Sequence, residues 1–272
     1  MMNDVLNDNT PLRRDGFTFK RFFAAHDRCA MKVGTDAVLL GAWTPLADAV
    51  DVLDIGTGCG LIALMLAQRT GDHVRVAGIE LDERAACQAR ENFALSPWRQ
   101  RLKVIQGDIL NPAVLGFPVL DKPGHERDGH AVAAYQLIVS NPPYFPVGVA
   151  CGSTERDRAR HTASLTHQRL LEVVRLLLAP QGLFSMVLPA EIGERVIGLA
   201  QGQGWHLRYR TDVADRPGKA PHRMLLALSL TPGAAVVTDM VLKDPDGRYS
   251  AAYRTLAGDF YLHMSGVATP AP

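Results

Sequence analysis

The chain has 272 residues, 47% hydrophobic and 21% charged, an ordinary composition for a globular protein with room for a sizeable core. Its formal net charge of +1 excludes recruitment of nucleic acid by global charge, so any basic contact surface has to be local. Cys29, Cys59, Cys87 and Cys151 are far apart and form no CxxC pair, which argues against a disulfide framework or zinc site and fits a reducing cytoplasm; no metal is expected, no apolar run approaches the roughly 20 residues of a membrane span, and the polar, acidic stretch Met1–Thr10 is no signal peptide.

Residues 1–15 are polar and predict a flexible tail. Phe17–Phe23 alternates in part and predicts a strand with an aromatic face. Arg13, Arg14, Lys20, Arg21, Arg28 and Lys32 make this front segment locally basic, which reads either as surface solvation or as contact with phosphate. Thr35-Asp36, followed by the apolar run Ala37–Trp43, predicts a capped helix stopped by Pro45. Val50–Ile55 is then a short strand running into Gly56-Thr57-Gly58-Cys59-Gly60 and an apolar helix, Leu61–Gln68. Val74–Ile79 predicts a second strand ending at Glu80, Glu83–Leu95 a helix stopped by Ser96-Pro97, and Leu102–Gln106 a third strand ending at Gly107-Asp108. Strands alternating with helices predict a parallel sheet covered on both faces.

Residues 111–131 hold three prolines and mixed charge and predict an irregular loop, long for an α/β connection. A fourth strand, Tyr135–Val139, closes at Ser140-Asn141-Pro142-Pro143-Tyr144. A second irregular stretch carries Arg156, Arg158, Arg160 and His161. A helix over 167–179, a fifth strand over Gly182–Leu188 and a helix over Ala190–Gln201 follow. Trp205–Arg210 and Met224–Leu230 predict a closing pair of strands around the basic loop 216–223. The tail holds one strand-like run from Val236, a turn at Asp244–Gly247, and a helix whose Tyr249, Tyr253, Phe260 and Tyr261 read as packing.

The fourth strand ends in unusual chemistry. Each proline keeps the residue before it out of the helical region, so Asn141 and Pro142 are held extended. Neither proline offers an N–H. Acceptors and the Tyr144 ring at a strand end suit a flat ring bearing an NH2 group, although a plain Pro-rich turn has the same composition. In a doubly wound sheet, ligands bind beyond the carboxyl ends of the strands at the switch point. Asp54 to Gly60, Glu80, Asp108 and Asn141 follow four successive strands in that position. The glycines read G-x-G-x-G with Leu61 next, whereas dinucleotide sites favour G-x-G-x-x-G. Glu80 can accept from two ribose hydroxyls, a feature shared by NAD and S-adenosylmethionine sites, and Asp108 can accept from an adenine amino group.

Asp54-Ile55-Gly56-Thr57-Gly58-Cys59-Gly60, Glu80, Gly107-Asp108 and Asn141-Pro142-Pro143-Tyr144 resemble the motifs of class I S-adenosylmethionine-dependent amino-methyltransferases. With Phe17–Phe23, His26–Asp36, Leu39–Trp43, Thr211–Val213 and Pro221–Arg223, the chain is similar to the bacterial tRNA1(Val) adenine-N6 methyltransferases from about Gly16 to Met264. It departs from them in the expanded loop 111–131. The resemblance implies an α/β fold, a doubly wound and mostly parallel seven-stranded sheet, Rossmann-like over 46–230. An extension over 16–45 and an appendage over 231–272 would complete one domain. It implies S-adenosylmethionine as cofactor, S-adenosylhomocysteine as product, and the anticodon loop of tRNA as partner; the sequence does not fix the oligomeric state, and a monomer is favoured. The backbone at Gly56, Gly58 and Gly60 would approach the methionine part, Asp54 would belong to the same motif, Glu80 would hold the ribose, and Asp108 with Ile109 the adenine. Thr35 and Asp36 would lie near the amino-acid end. Asn141 and the Pro142 carbonyl would accept from the target N6 amino group while Tyr144 stacks on its base. Lys20, Arg21, Arg28, Arg156, Arg158, Arg160, His161, Lys219, His222 and Arg223 are the candidate RNA contacts. The same amino-binding motif would suit a glutamine side chain in a protein or guanine N2 in rRNA. An NAD-dependent oxidoreductase and a non-catalytic RNA-binding module are the rivals of other classes, disfavoured by Leu61 and by the intact Asn141 and Tyr144.

Overall fold

The computed structural model describes residues 15–111, 114, 135–142 and 165–264. The expected tail up to residue 14, most of the loop 111–131 and the stretch 143–164 lie outside the described residues. Ten strands and six helices are described, in this order: β1 (Gly16–Thr18), β2 (Phe23–Ala25), α1 (Thr35–Trp43), β3 (Asp51–Ile55), α2 (Leu61–Arg69), β4 (Arg75–Glu80), α3 (Glu83–Leu95), β5 (Leu102–Gln106), β6 (Tyr135–Ser140), α4 (His167–Leu177), β7 (Leu178–Pro189), α5 (Ala190–Gly202), β8 (His206–Ala214), β9 (Arg223–Ser229), β10 (Val236–Val241) and α6 (Ala251–Ala257).

The main sheet runs β10-β8-β9-β7-β6-β3-β4-β5. The pairs β3–β4, β4–β5, β3–β6 and β6–β7 are parallel, while β9 lies antiparallel between β7 and β8. The chain therefore winds outward from β3 through β4 and β5, then returns to place β6 on the other side of β3. That reversal opens a crevice beyond the carboxyl ends of β3 and β6, where ligands of doubly wound sheets bind. Side chains alternate across the sheet as the strand period requires. Val52 packs in the cluster with α1 and α2, whereas Leu53 and Ile55 face the cluster that includes Val174 and Trp205. Each such fully buried aliphatic side chain contributes about 1.5–3 kcal/mol. Every residue of α2 from Leu61 to Ala67 is buried, so its apolarity on all sides reflects cover on all sides.

Three expectations change. An eighth strand joins the sheet: β10, from the appendage, pairs in parallel with β8, where Thr211 Oγ1 and Thr238 Oγ1 hydrogen-bond at 2.8 Å. The front segment is a hairpin of two three-residue strands, turned where Phe19 N donates to Phe22 O at 2.8 Å. Phe19 and Phe22 are both buried, stacked 4.6 Å apart, so the aromatic residues sit in the turn and cap the core instead of lining one strand face. The terminal helix is short. Ser250 caps α6, so Tyr249 precedes it and Phe260 and Tyr261 follow it, yet the rings of Tyr249, Tyr253 and Tyr261 still cluster.

Candidate active site

The turn between β3 and α2 is built on left-handed backbone. Gly56, Gly58 and Gly60 have φ of 70°, 57° and 85°, a region that L side chains rarely adopt. The three differ in what surrounds them. A β-carbon at Gly56 or Gly58 would meet nothing within 4 Å, so the backbone there faces open space. At Gly60 it would fall 2.4 Å from Phe93 Cε1, so this glycine lets the start of α2 close against α3.

Asp54 lies fully buried beneath this turn. Its Oδ2 accepts from Thr57 Oγ1 at 2.6 Å and from Ala63 N at 3.2 Å, while its Oδ1 is buried with no hydrogen-bond partner. Burial pushes the Asp54 carboxyl up to about 7, opposed by the Thr57 and Ala63 hydrogen bonds and reinforced by the charge of Glu80. Glu80, at the end of β4, borders the turn: its Oε2 accepts from Gly58 N at 2.8 Å and its Oε1 from Asp82 N at 3.0 Å. Asp108 follows β5, which pairs with β4 up to Glu80–Gln106; its Oδ1 accepts from Leu110 N at 2.9 Å, and Ile109 is buried. Asn141 follows β6. The β3–β6 register pairs Ile55 with Ser140, so the next residues, Gly56 and Asn141, emerge side by side. Ser140 Oγ donates to Ile55 O at 3.0 Å and fastens the two strand ends. Pro142 is buried.

Asp36 and Arg223, expected in separate roles, are brought together. Arg223 Nε lies 3.0 and 2.9 Å from the two Asp36 carboxylate oxygens, joining the first turn of α1 to the start of β9. Helix α1 begins at Thr35, and its Gly34 cap makes no side-chain hydrogen bond. Arg223 is opposite Pro189 at the carboxyl end of β7, so this pair stands on the rim of the crevice. Lys219 and His222 are exposed in the same loop between β8 and β9. Three of the front cations have partners within the fold, and Arg13 and Arg14 lie outside the described residues. Lys20 Nζ donates to Gly258 O at 2.5 Å and Met264 O at 2.9 Å, Arg28 pairs with Glu91, and the Arg21 guanidinium lies 5.4 Å from the Trp98 ring centre. Tyr144, Arg156, Arg158, Arg160 and His161 lie outside the described residues.

Sequence reasoning missed two amides on the buried face of α3. Asn92 Oδ1 accepts from Ala25 N at 3.0 Å, and its Nδ2 donates to Ala25 O at 2.9 Å and Cys59 O at 2.8 Å. Gln88 Oε1 accepts from Arg28 N and from Cys29 Sγ, both at 3.1 Å, and its Nε2 donates to Asp27 at 2.6 Å. Together they lace residues 25–29 to the glycine turn. The signal was available: two amides spaced i, i+4 among Ala85, Ala89 and Phe93 occupy the apolar face of the helix. Asn92→Ala leaves three buried backbone groups unpaired and is expected to lower the unfolding free energy by about 3 kcal/mol, read as a shifted urea midpoint at unchanged slope.

Among the described residues no group of His, Cys, Asp or Glu could hold a metal ion, and no helix is long and apolar enough to cross a membrane. A family model described as a methyltransferase domain matches residues 52–118. The tRNA1(Val) (adenine(37)-N6)-methyltransferase of Cronobacter sakazakii is 51% identical over 94% of this chain and 98% of its own length. That of Pectobacterium carotovorum is 48% identical over 97% of this chain and 100% of its own. The fold is shared with a predicted O-methyltransferase from Agrobacterium tumefaciens, which superposes with a TM-score of 0.60 at 17% identity, covering 87% of this chain and 100% of that one.

Proposed function

The chain belongs to the tRNA1(Val) (adenine(37)-N6)-methyltransferase family, and from that premise we propose that it methylates N6 of adenosine 37, next to the anticodon, in tRNA1(Val), with S-adenosylmethionine as donor. The observation that carries this reading is the near-half identity, over nearly the whole chain, to relatives of that one name.

The residues present fit the donor. Open space over Gly56 and Gly58 admits a ligand against the backbone, and the unpartnered Asp54 Oδ1 calls for a hydrogen-bond donor from outside the protein. Gly56 and Gly58 would hold the methionine part, Glu80 the ribose hydroxyls, Asp108 and Ile109 the adenine, with Thr35 and Asp36 toward the amino-acid end. When bound, the cofactor supplies a methyl group on a sulfonium, an excellent leaving group.

The rest of the task falls to the acceptor side. The lone pair of an adenine N6 is delocalised into its ring and is a poor nucleophile. The Asn141 side-chain oxygen and the Pro142 carbonyl accept its two hydrogens, which favours a pyramidal nitrogen with its lone pair free. That Asn141 leaves the sheet beside Gly56 supports a target nitrogen held next to the glycine turn. Catalysis is then chiefly orientation and electrostatics; the alkylated nitrogen is acidic and gives up its proton to the acceptors around Asn141 or to water, and no side chain is assigned as general base. Tyr144 offers its ring to the base, offsetting part of the cost of drawing it from the anticodon-loop stack.

The test is to map modified nucleosides in total tRNA from cells with and without this chain, alongside incubation of labelled cofactor with separated RNA and protein pools. Loss of N6-methyladenosine at position 37 of tRNA1(Val) is the expected result. Label in protein alone, or in guanine of rRNA, would sink the reading.

A further inference from the structure

A cavity of about 680 Å³ lies away from the crevice, between β1, the residues just before and within α6, and those that follow it. Its size is that of a small-molecule site, roughly 300–1,000 Å³. Phe17, Tyr249 and Tyr261 supply its aromatic lining. The Tyr249 and Tyr261 rings are 17° from parallel with centroids 6.4 Å apart, and Phe17 meets Tyr261 edge-on at 5.8 Å. Tyr249 remains 44% exposed, so much of its ring is not used by the fold. The charged lining is all of one sign. Arg248 and Arg254 are present, and no described lining residue is acidic. Arg254 Nη1 donates to the Tyr249 backbone carbonyl at 2.7 Å, which ties the guanidinium to the residue that carries the exposed ring. Arg248 is 84% exposed at its side chain, with its Nε 3.4 Å from Asp246.

The topology connects this cavity to the active-site edge. Strands β8 and β10 are parallel, and through β9 they run in the same direction as β7, β6 and β3. The loop after β8 and the turn after β10 thus lie at the carboxyl edge from which Asn141 emerges. Lys243 Nζ, 3.5 Å from Asp215 Oδ1, joins that loop to that turn. Arg248 and Tyr249 follow the turn directly.

Flat aromatic faces with two guanidinium groups in the same lining, only one of them paired with a described carboxylate, match an unpaired nucleotide: a base to stack and a phosphate to neutralise. We propose that this cavity is a stacking subsite for one unpaired nucleotide of the RNA substrate other than the methylated adenosine. Its base lies against Tyr249 and its phosphate beside Arg248 and Arg254. The inference rests on the tRNA reading and adds a second point of contact to it.

The test is steady-state methylation of a tRNA1(Val) transcript by the full chain and by Tyr249→Ala, Tyr249→Trp and Arg248→Ala. Tyr249→Ala is expected to raise KM for the transcript about tenfold, the effect of a lost base–aromatic stack, with kcat and KM for S-adenosylmethionine unchanged. Tyr249→Trp keeps a ring and retains the wild-type KM. Arg248→Ala weakens the salt dependence of transcript binding by about one counterion. A wild-type KM for the transcript in Tyr249→Ala, beside normal wild-type turnover, overturns the subsite alone, as does a parallel loss of cofactor affinity. A wild-type chain inactive on the transcript overturns the functional reading and the subsite with it.

Discussion

Replacing Asn141 by alanine is expected to lower the rate of methyl transfer by at least about 10²-fold while cofactor affinity stays within about twofold of wild type. The asymmetry follows from the sheet. Asn141 is at the end of β6, whereas Gly56, Gly58 and Glu80 come from β3 and β4. The Ile55–Ser140 pairing sets the two groups side by side through the backbone of the sheet. What alanine removes is an acceptor that matters most as the N6 nitrogen turns pyramidal, so the loss falls on kcat more than on binding. Asn141→Asp keeps an acceptor oxygen in place and is expected to retain more activity than alanine. Single-turnover transfer to tRNA and calorimetric titration with the cofactor separate the two effects. A large fall in cofactor affinity in Asn141→Ala would mean that the residue belongs to the donor half of the crevice.

The architecture was legible because its signals are local. Val50–Ile55, Val74–Ile79 and Leu102–Gln106 are short apolar runs ended by polar or glycine residues, and all three are strands within a residue or two of the expected bounds. The crevice was legible for the same reason: a residue after a strand of a parallel sheet is at its carboxyl edge whatever the remaining topology. What stayed hidden depends on contacts distant in sequence. Lys20 reads as a phosphate ligand until the appendage, 238 residues on, offers it the Gly258 carbonyl. Asp36 and Arg223 read as separate contacts, and only the approach of α1 to the start of β9 makes them a pair. β10 reads as a strand-like run, but its place beside β8 comes from pairing that no local pattern encodes. Gly60 shows the limit at the scale of one residue. It shares a motif with Gly56 and Gly58, yet the ring that demands its missing side chain, Phe93, is on the next helix.

Asp54→Asn is expected to act in opposite directions on folding and on cofactor binding. In the unfolded chain the Asp54 carboxyl titrates near the ordinary value of about 3.9. In the fold, where it is fully buried, it is pushed up to about 7. Between these values the native state holds a proton that the unfolded state has released. Stability is therefore lost progressively as pH rises from about 4 to about 7 and is level above that. At about 1.4 kcal/mol per pH unit the full span is on the order of 4 kcal/mol. Asparagine has nearly the same shape and no charge, so it removes this penalty. The unpartnered buried amide NH2 offsets part of this gain, so the variant is expected to exceed wild type in unfolding free energy at pH 8 by on the order of 1–3 kcal/mol without cofactor, with the difference about 2 kcal/mol less favourable to the variant at pH 5.5. The cofactor sees the reverse. Oδ2 already serves Thr57 and Ala63, so asparagine keeps its oxygen there and puts an NH2 group where Oδ1 had no partner. An incoming donor then meets a donor, and cofactor affinity is expected to fall at least about tenfold. Urea unfolding at the two pH values and calorimetric titration at pH 8 measure both arms. A stability gain that did not change with pH would show that the charge of Asp54 is not its source. Unchanged cofactor affinity would show that Oδ1 takes no donor from the ligand, and that the acid beneath the glycine turn shapes the turn through Thr57 alone.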